Sequence, residues 1–358
     1  MKKIVLTGGG TAGHVTPNIA LLPALQAAGY EVAYVGSYEG IEKKLIADFN
    51  IPYTGISTGK FRRYLDPKNF SDPFRVMKGF VEARNYLKNY QPDVVFSKGG
   101  FVSVPVVRAA ASLHIPCIIH ESDMTPGLAN KLCIPVAEKV CCNFPETMKN
   151  IPAGKAVLTG SPIRAELAEG SKLAGLNMCG FTANKPVIMV IGGSLGAANV
   201  NKAVRDALPK LLGDFQVVHL CGKDKIDNLL LNTPGYKQFE YIKAELKDIF
   251  AMADIVISRA GANAICELLA LKKPNILIPL PAASSRGDQL LNAASFEAQG
   301  YSIVLNEDDI TTNLLVNKVH ELYFNRQNYV EAMSKSHQMD AVKTIMELIN
   351  AAADKKTN

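Results

Sequence analysis

The chain has 358 residues, 48% of them apolar, seven cysteines and a formal net charge of +6. This length exceeds one ordinary domain and predicts two, each with a sizeable core. No stretch approaches the ~18 uninterrupted apolar residues of a transmembrane helix, the opening MKKIVLTGGG carries no signal-peptide pattern, and cysteines without any CxxC pair read as reduced, buried thiols of a cytoplasmic protein rather than metal ligands.

The charge is unevenly spread. Residues 1–163 carry 18 basic and 12 acidic side chains, whereas residues 164–358 carry 21 of each. Residues 60–88 alone hold eight basic and three acidic side chains. An anionic partner is therefore expected for the N-terminal half only.

In chain order, the first half has apolar runs at KIVLTG, EVAYVG, DVVFSKGG, PCIIHE, KVCCNF and AVLTGSP. The second half has PVIMVIGGS, FQVVHLCG, QFEYIK, ADIVISR, PNILIPL and SIVLN. Runs that are apolar on both faces predict strands of buried parallel sheets. Helically spaced segments between them, such as TPNIALLPALQAAGY, predict an α/β protein with right-handed crossovers. Each half opens with a strand, a glycine loop and a helix, so two tandem Rossmann-like domains with parallel sheets facing an interdomain cleft are expected. The boundary is placed near LTGSPIRAEL, giving domains 1–163 and 164–335. A last amphipathic helix, 336–352, can pack on either.

Gly8, Gly10 and Gly13 satisfy G-x-G-x-x-G between a strand and a helix. Such a loop either presents backbone N–H groups to a phosphate or simply makes a tight turn. A dinucleotide site needs an acidic residue about 20 positions further on. That position is near Ala33, and Glu39 comes late, so a nicotinamide site lacks its ribose ligand. SKGGFVSVP (97–105) is a further glycine loop. GGSLGAANVN brings Ser194, whose hydroxyl can meet a phosphate oxygen. In SRAGANAICELLA, Glu267 is the one charge in an apolar helical run. It reads either as a solvated face or as a bidentate acceptor for a sugar diol. The N–H groups of Ala262, Asn263 and Ala264 would then point at the same ligand's phosphate.

GGGTAGHVTPNIALLPAL, SKGGFVSVP, HESDMTPGLANKL, GSPIR, GGSLGAANVN, SRAGANAICELL and DQLLNA resemble, in order and spacing, the MurG family of bacterial peptidoglycan N-acetylglucosamine (GlcNAc) transferases. The resemblance spans almost the whole chain. It implies the two-domain glycosyltransferase B fold, with the C-terminal helix crossing back to the first domain. It also implies transfer of GlcNAc from UDP-GlcNAc to undecaprenyl-pyrophosphoryl-MurNAc-pentapeptide (lipid I), giving lipid II.

The same resemblance implies site residues. Ile242 would read uracil through its backbone, and Glu267 would hold the ribose. Ser194, Ala262, Asn263, Ala264 and Arg164 would contact the donor diphosphate, while Gln289 and Asn292 would hold the GlcNAc hydroxyls. Thr11, Ala12 and Gly13 would face the acceptor pyrophosphate, and His14 at the helix start would be the general base. Two departures occur: Asp288 stands where the family often has Gln, and Asp123 where it often has Asn. No D-x-D metal motif is present, and Glu307–Asp308–Asp309 reads as a helix start. No cofactor, metal or nucleic-acid partner is expected. A UDP-GlcNAc epimerase or another glycosyltransferase of the same fold is the alternative. The basic, aromatic segment 60–88 is expected to dock on an anionic, cytoplasmic membrane face, with cell-wall synthesis proteins as further partners.

Overall fold

The structure is a computed structural model that describes residues 1–59, 68–193, 197–282, 287–336 and 340–357. The chain divides into two compact units, Met1–Arg164 with Asp340–Asn358, and Ala165–Met339.

The first unit contains, in order, β1 (Lys3–Thr7), α1 (Thr16–Ala27), β2 (Glu31–Ser37), α2 (Ile41–Ile46), β3 (Tyr53–Ile56), α3 (Lys68–Tyr90) and β4 (Val94–Ser97). Then come α4 (Ser103–Ser112), β5 (Cys117–Glu121), α5 (Leu128–Cys133), β6 (Lys139–Cys142), α6 (Pro145–Met148) and β7 (Ala156–Leu158). Its seven strands lie in the order β3-β2-β1-β4-β5-β6-β7, all parallel. The sequence patterns missed β3. It is short and half-buried, and it pairs only with β2 at the sheet edge, so no continuous apolar run announces it.

Alternating side chains of β1 feed two cores. Val5 packs with Ala83 and Leu87 of α3 and with Val106 and Ala110 of α4. Ile4 and Leu6 pack on the other face with Leu21, Leu22 and Leu25 of α1. A buried parallel strand must be apolar on both faces for this reason.

The second unit contains α7 (Lys172–Cys179), β8 (Val187–Ile191), α8 (Ala198–Asp214), β9 (Gln216–Leu220), β10 (Tyr236–Phe239) and α9 (Leu246–Met252). It continues through β11 (Ile255–Ser258), α10 (Ala262–Ala270), β12 (Asn275–Leu277), α11 (Asp288–Ala298), β13 (Ser302–Val304), α12 (Thr312–Phe324) and α13 (Arg326–Ser334). Its parallel order is β10-β9-β8-β11-β12-β13. Strand β10 ends before Tyr241, earlier than the QFEYIK run suggested, so Ile242 lies in the loop beyond it. The chain ends in α14 (Ala341–Thr357), which belongs to the first unit. There Ile345, Ile349 and Ala353 join the core of Ile4, Leu6 and Phe96.

Both sheets reverse their strand order beside the first strand of the unit. In open α/β sheets, ligands bind outside the strand C-termini at this point. The loops there are the glycine loops after β1, β4, β8 and β11.

Candidate active site

In the first unit, two glycine loops pack on each other. Gly9 N–H donates to the Gly99 carbonyl at 3.3 Å. Gly100 has φ +85°, and a Cβ on it would lie 2.2 Å from the Gly9 carbonyl oxygen. Only glycine satisfies both demands.

The β1–α1 loop is also held from α2. Glu42 is 1% exposed, accepts the Gly10 N–H at 3.1 Å, and takes the Ser37 N–H at 3.0 Å and hydroxyl at 2.5 Å. Burial opposes its charge, but these bonds hold its carboxyl below the usual range. The amides of Gly9 and Gly10 are therefore spoken for within the protein. The stretch open to a ligand begins at Thr11 and Ala12, which are exposed.

His14 lies in a 3-10 turn, Ala12–His14, two residues before α1, rather than at the start of the α-helix itself. Its Nδ1 is 3.0 Å from the Gly9 carbonyl and 3.2 Å from Thr11 Oγ1. A carbonyl can only accept, so this contact places the proton on Nδ1 and leaves Nε2 as the acceptor. Burial and the nearby Lys98 cation lower the His14 pKa, against the Gly9 bond and Glu42.

Lys98 follows β4 and is 1% exposed. Its Nζ donates to His120 Nδ1 at 2.8 Å and to Ser122 Oγ at 2.5 Å. His120 Nε2–H in turn donates to the Gly160 carbonyl at 2.9 Å. Burial, reinforced by Lys98, pushes His120 well below its ordinary pKa. The buried Glu121 accepts from the Asp123 N–H, the Gly127 N–H and Asn130 Nδ2 at 2.8–3.0 Å. Burial nevertheless raises its carboxyl. Asp123 thus serves the loop through its backbone N–H.

In the second unit, the β11–α10 loop is anchored from three sides. Arg259 donates to the carbonyls of Ile278 at 3.0 Å and Pro279 at 3.3 Å. It also pairs with Glu307, which accepts from Asn199 Nδ2 at 2.5 Å. Glu307 opens a 3-10 turn, Glu307–Asp309, as its reading as a helix start expected, and is also part of a buried ion pair. Asn292 is 1% exposed and gives its Nδ2 to the Ala260 carbonyl at 3.2 Å. The Gln289 side-chain oxygen accepts the Leu280 N–H at 3.1 Å. Both amides thus brace the loops around α10.

Helix α10 begins at Ala262 behind Gly261, which supplies no capping side chain. Ala262, Asn263 and Ala264 are half-buried in its first turn, as is Glu267 further along. Glu267 stands four residues past Asn263 and three past Ala264, on the same helix face. Ile242 is buried. Arg164 ends the first unit's main segment. Ser194 lies outside the described residues.

Sequence reasoning missed Glu42, Lys98 and the Arg259–Glu307 pair. Glu42 stands three residues beyond Glu39, where only a ribose ligand was sought. Lys98 was visible in SKGG, but its burial was not.

Residues 4–142 match the glycosyltransferase family 28 N-terminal domain, and residues 187–349 match the glycosyltransferase family 28 C-terminal domain. A protein of Lachnospira eligens is 66% identical over 98% of this chain and 99% of its own length. One of Lachnoclostridium phytofermentans is 65% identical, covering 98% of each. Both are named UDP-N-acetylglucosamine–N-acetylmuramyl-(pentapeptide) pyrophosphoryl-undecaprenol N-acetylglucosamine transferase. The crystal structure of Acinetobacter baumannii MurG is similar at TM-score 0.77 and 28% identity, covering 98% of this chain and 100% of that one.

Proposed function

The chain belongs to glycosyltransferase family 28, and from its identity to relatives named for this activity we infer that it transfers GlcNAc from UDP-GlcNAc to undecaprenyl-pyrophosphoryl-MurNAc-pentapeptide. It is a glycosyltransferase of peptidoglycan synthesis, and its product is lipid II. The observation that carries this reading is the 66% identity to a transferase of that name over 98% of the chain.

The chemistry needs a deprotonated acceptor hydroxyl and a stabilised UDP leaving group. We propose direct displacement with inversion. The MurNAc 4-hydroxyl oxygen attacks the anomeric carbon of GlcNAc, the bond from that carbon to UDP breaks, and the hydroxyl proton passes to His14 Nε2. The Nδ1–H tautomer set by the Gly9 carbonyl supports this role. Thr11, Ala12 and Gly13 would face the acceptor pyrophosphate.

On the donor side, Glu267 would take the ribose diol. The α10 start at Ala262, Asn263 and Ala264, with Ser194 and Arg164, would meet the diphosphate charge that grows as UDP leaves. Ile242 would read uracil through its backbone. Gln289 and Asn292 would serve the sugar indirectly, by fixing the loops that do.

Among the described residues, no helix is long and apolar enough to cross a membrane. We propose a peripheral association with the cytoplasmic face, made by α3. Phe74, Met77 and Val81 are 78%, 63% and 52% exposed and recur at i, i+3 and i+7 on one helix face. The exposed Arg75 and Lys78 lie beside them. Phe80, by contrast, packs against the core. Phe61, Tyr64 and Leu65 lie outside the described residues.

Incubation with UDP-GlcNAc and a soluble lipid I analogue should release UDP and form a disaccharide. UDP release without disaccharide, or formation of a UDP-sugar epimer, would overturn the reading.

A further inference from the structure

The β1–α1 loop ends in His14, and two buried charges of opposite sign flank the loop from different elements. Glu42, on α2, holds the Gly10 N–H at 3.1 Å. A Cβ on Gly9 would meet its carboxyl carbon at 2.5 Å, so loop and carboxylate are in close contact. Lys98, after β4, lies under the same loop: a Cβ on Gly8 would be 3.3 Å from Lys98 Cβ. Its neighbours Gly99 and Gly100 meet Gly9 directly, and His14 Nδ1 would be 3.2 Å from a Cβ on Gly100.

We propose that Glu42 and Lys98 are positioning residues that act through His14: Glu42 holds the loop that fixes the imidazole, Lys98 packs beneath that loop, and the two balance, with opposite charges, how readily the imidazole takes a proton.

Neither residue is placed to touch a ligand. Both are 1% exposed, and their polar atoms are engaged with protein groups. Their influence on His14 is electrostatic and has opposite signs. Lys98 disfavours the imidazolium, whereas Glu42 favours it. The other groups facing His14 are the Gly9 carbonyl and the Thr11 hydroxyl. The His120 imidazole also couples to it, but His120 accepts a hydrogen bond from Lys98 and stays neutral. A buried cation near a catalytic histidine keeps it a free base at neutral pH. A buried carboxylate that holds the loop from α2 keeps that base from becoming too weak to take a proton from a hydroxyl.

This inference rests on His14 being the base, so the test separates the two. The protein has six histidines. Labelling them at Cε1 gives signals whose titration NMR can follow, and the His14 signal is the one lost in His14→Gln. Glu42→Gln should lower the His14 pKa, and Lys98→Met should raise it, each by on the order of half a unit to one unit. The acid limb of kcat/KM, measured with UDP-GlcNAc and a lipid I analogue, should move the same way. A His14 pKa unchanged in both variants, or moved in one direction by both, would overturn the proposal. Opposite shifts of the signal with a stationary acid limb would uphold the proposal and overturn His14 as base. Should Lys98→Met fail to fold by circular dichroism, Lys98→Gln keeps a donor toward His120 and gives the same reading.

Discussion

Gly100 and Gly9 approach so closely that a methyl group on Gly100 would sit 2.2 Å from the Gly9 carbonyl oxygen. That oxygen is also the acceptor for His14 Nδ1. The second glycine loop therefore sets the position of His14 in the first.

Gly100→Ala should displace the Gly9 carbonyl and release His14. The left-handed backbone alone costs about 1–2 kcal/mol, and the clash adds to it. A lower Tm and a large loss of turnover are expected, with UDP-GlcNAc binding retained because Gly100 lies in the first unit. Unchanged Tm and turnover would show that the loops are not coupled.

His14→Ala should keep donor and vesicle binding but lose about 100-fold or more in turnover. With the neutral imidazole as the proposed base, the rate should fall as pH drops. Burial and Lys98 lower its pKa, so that fall should come below the ordinary histidine value of about 6.5. A variant keeping more than about a tenth of wild-type turnover would remove His14 from the proton transfer.

Glu267→Ala should weaken UDP-GlcNAc binding by about 2–3 kcal/mol, the worth of two charge-assisted bonds to a diol. The fold should stay intact. Calorimetry reads the change directly, and an unaltered affinity would leave Glu267 without a role in the donor site.

Phe74→Glu with Met77→Glu should abolish cosedimentation with anionic vesicles, and raised salt should weaken the wild-type protein's binding. Equal binding to neutral vesicles at high salt would contradict the electrostatic part of the docking.

His219 is fully buried between Tyr236 and Asn201. Burial, with Arg205 nearby, brings its pKa to about 3. The folded state keeps it neutral while the unfolded chain protonates it below about 6.5. Its contribution to stability is therefore complete above that pH. It is lost as pH falls toward 3, at about 1.4 kcal/mol per pH unit. His219→Gln should flatten the dependence of Tm on pH between those limits. An unchanged slope would contradict the buried neutral form.

Much of this molecule was legible in its sequence. Apolar runs such as KIVLTG and ADIVISR are strands because a parallel sheet covered on both faces demands apolar residues at every position. The glycine loops that follow them mark the strand C-termini. The motifs from GGGTAGH to DQLLNA carried the family. Local patterns do not say which distant groups meet. The pattern of Ile345, Ile349 and Ala353 suits either half; the family resemblance put this helix on the first, and the core of Ile4, Leu6 and Phe96 shows it there. Glu307 read only as part of a helix start, and nothing local announced its partner Arg259, nearly fifty residues earlier. Lys98 reads as an ordinary loop lysine, yet the strand order β1-β4-β5 brings it beneath His14 and against His120. Pattern encodes which face of an element is buried. Whether a buried charge tunes a catalytic group depends on which loops converge at the switch point of the sheet, and only the tertiary structure decides that.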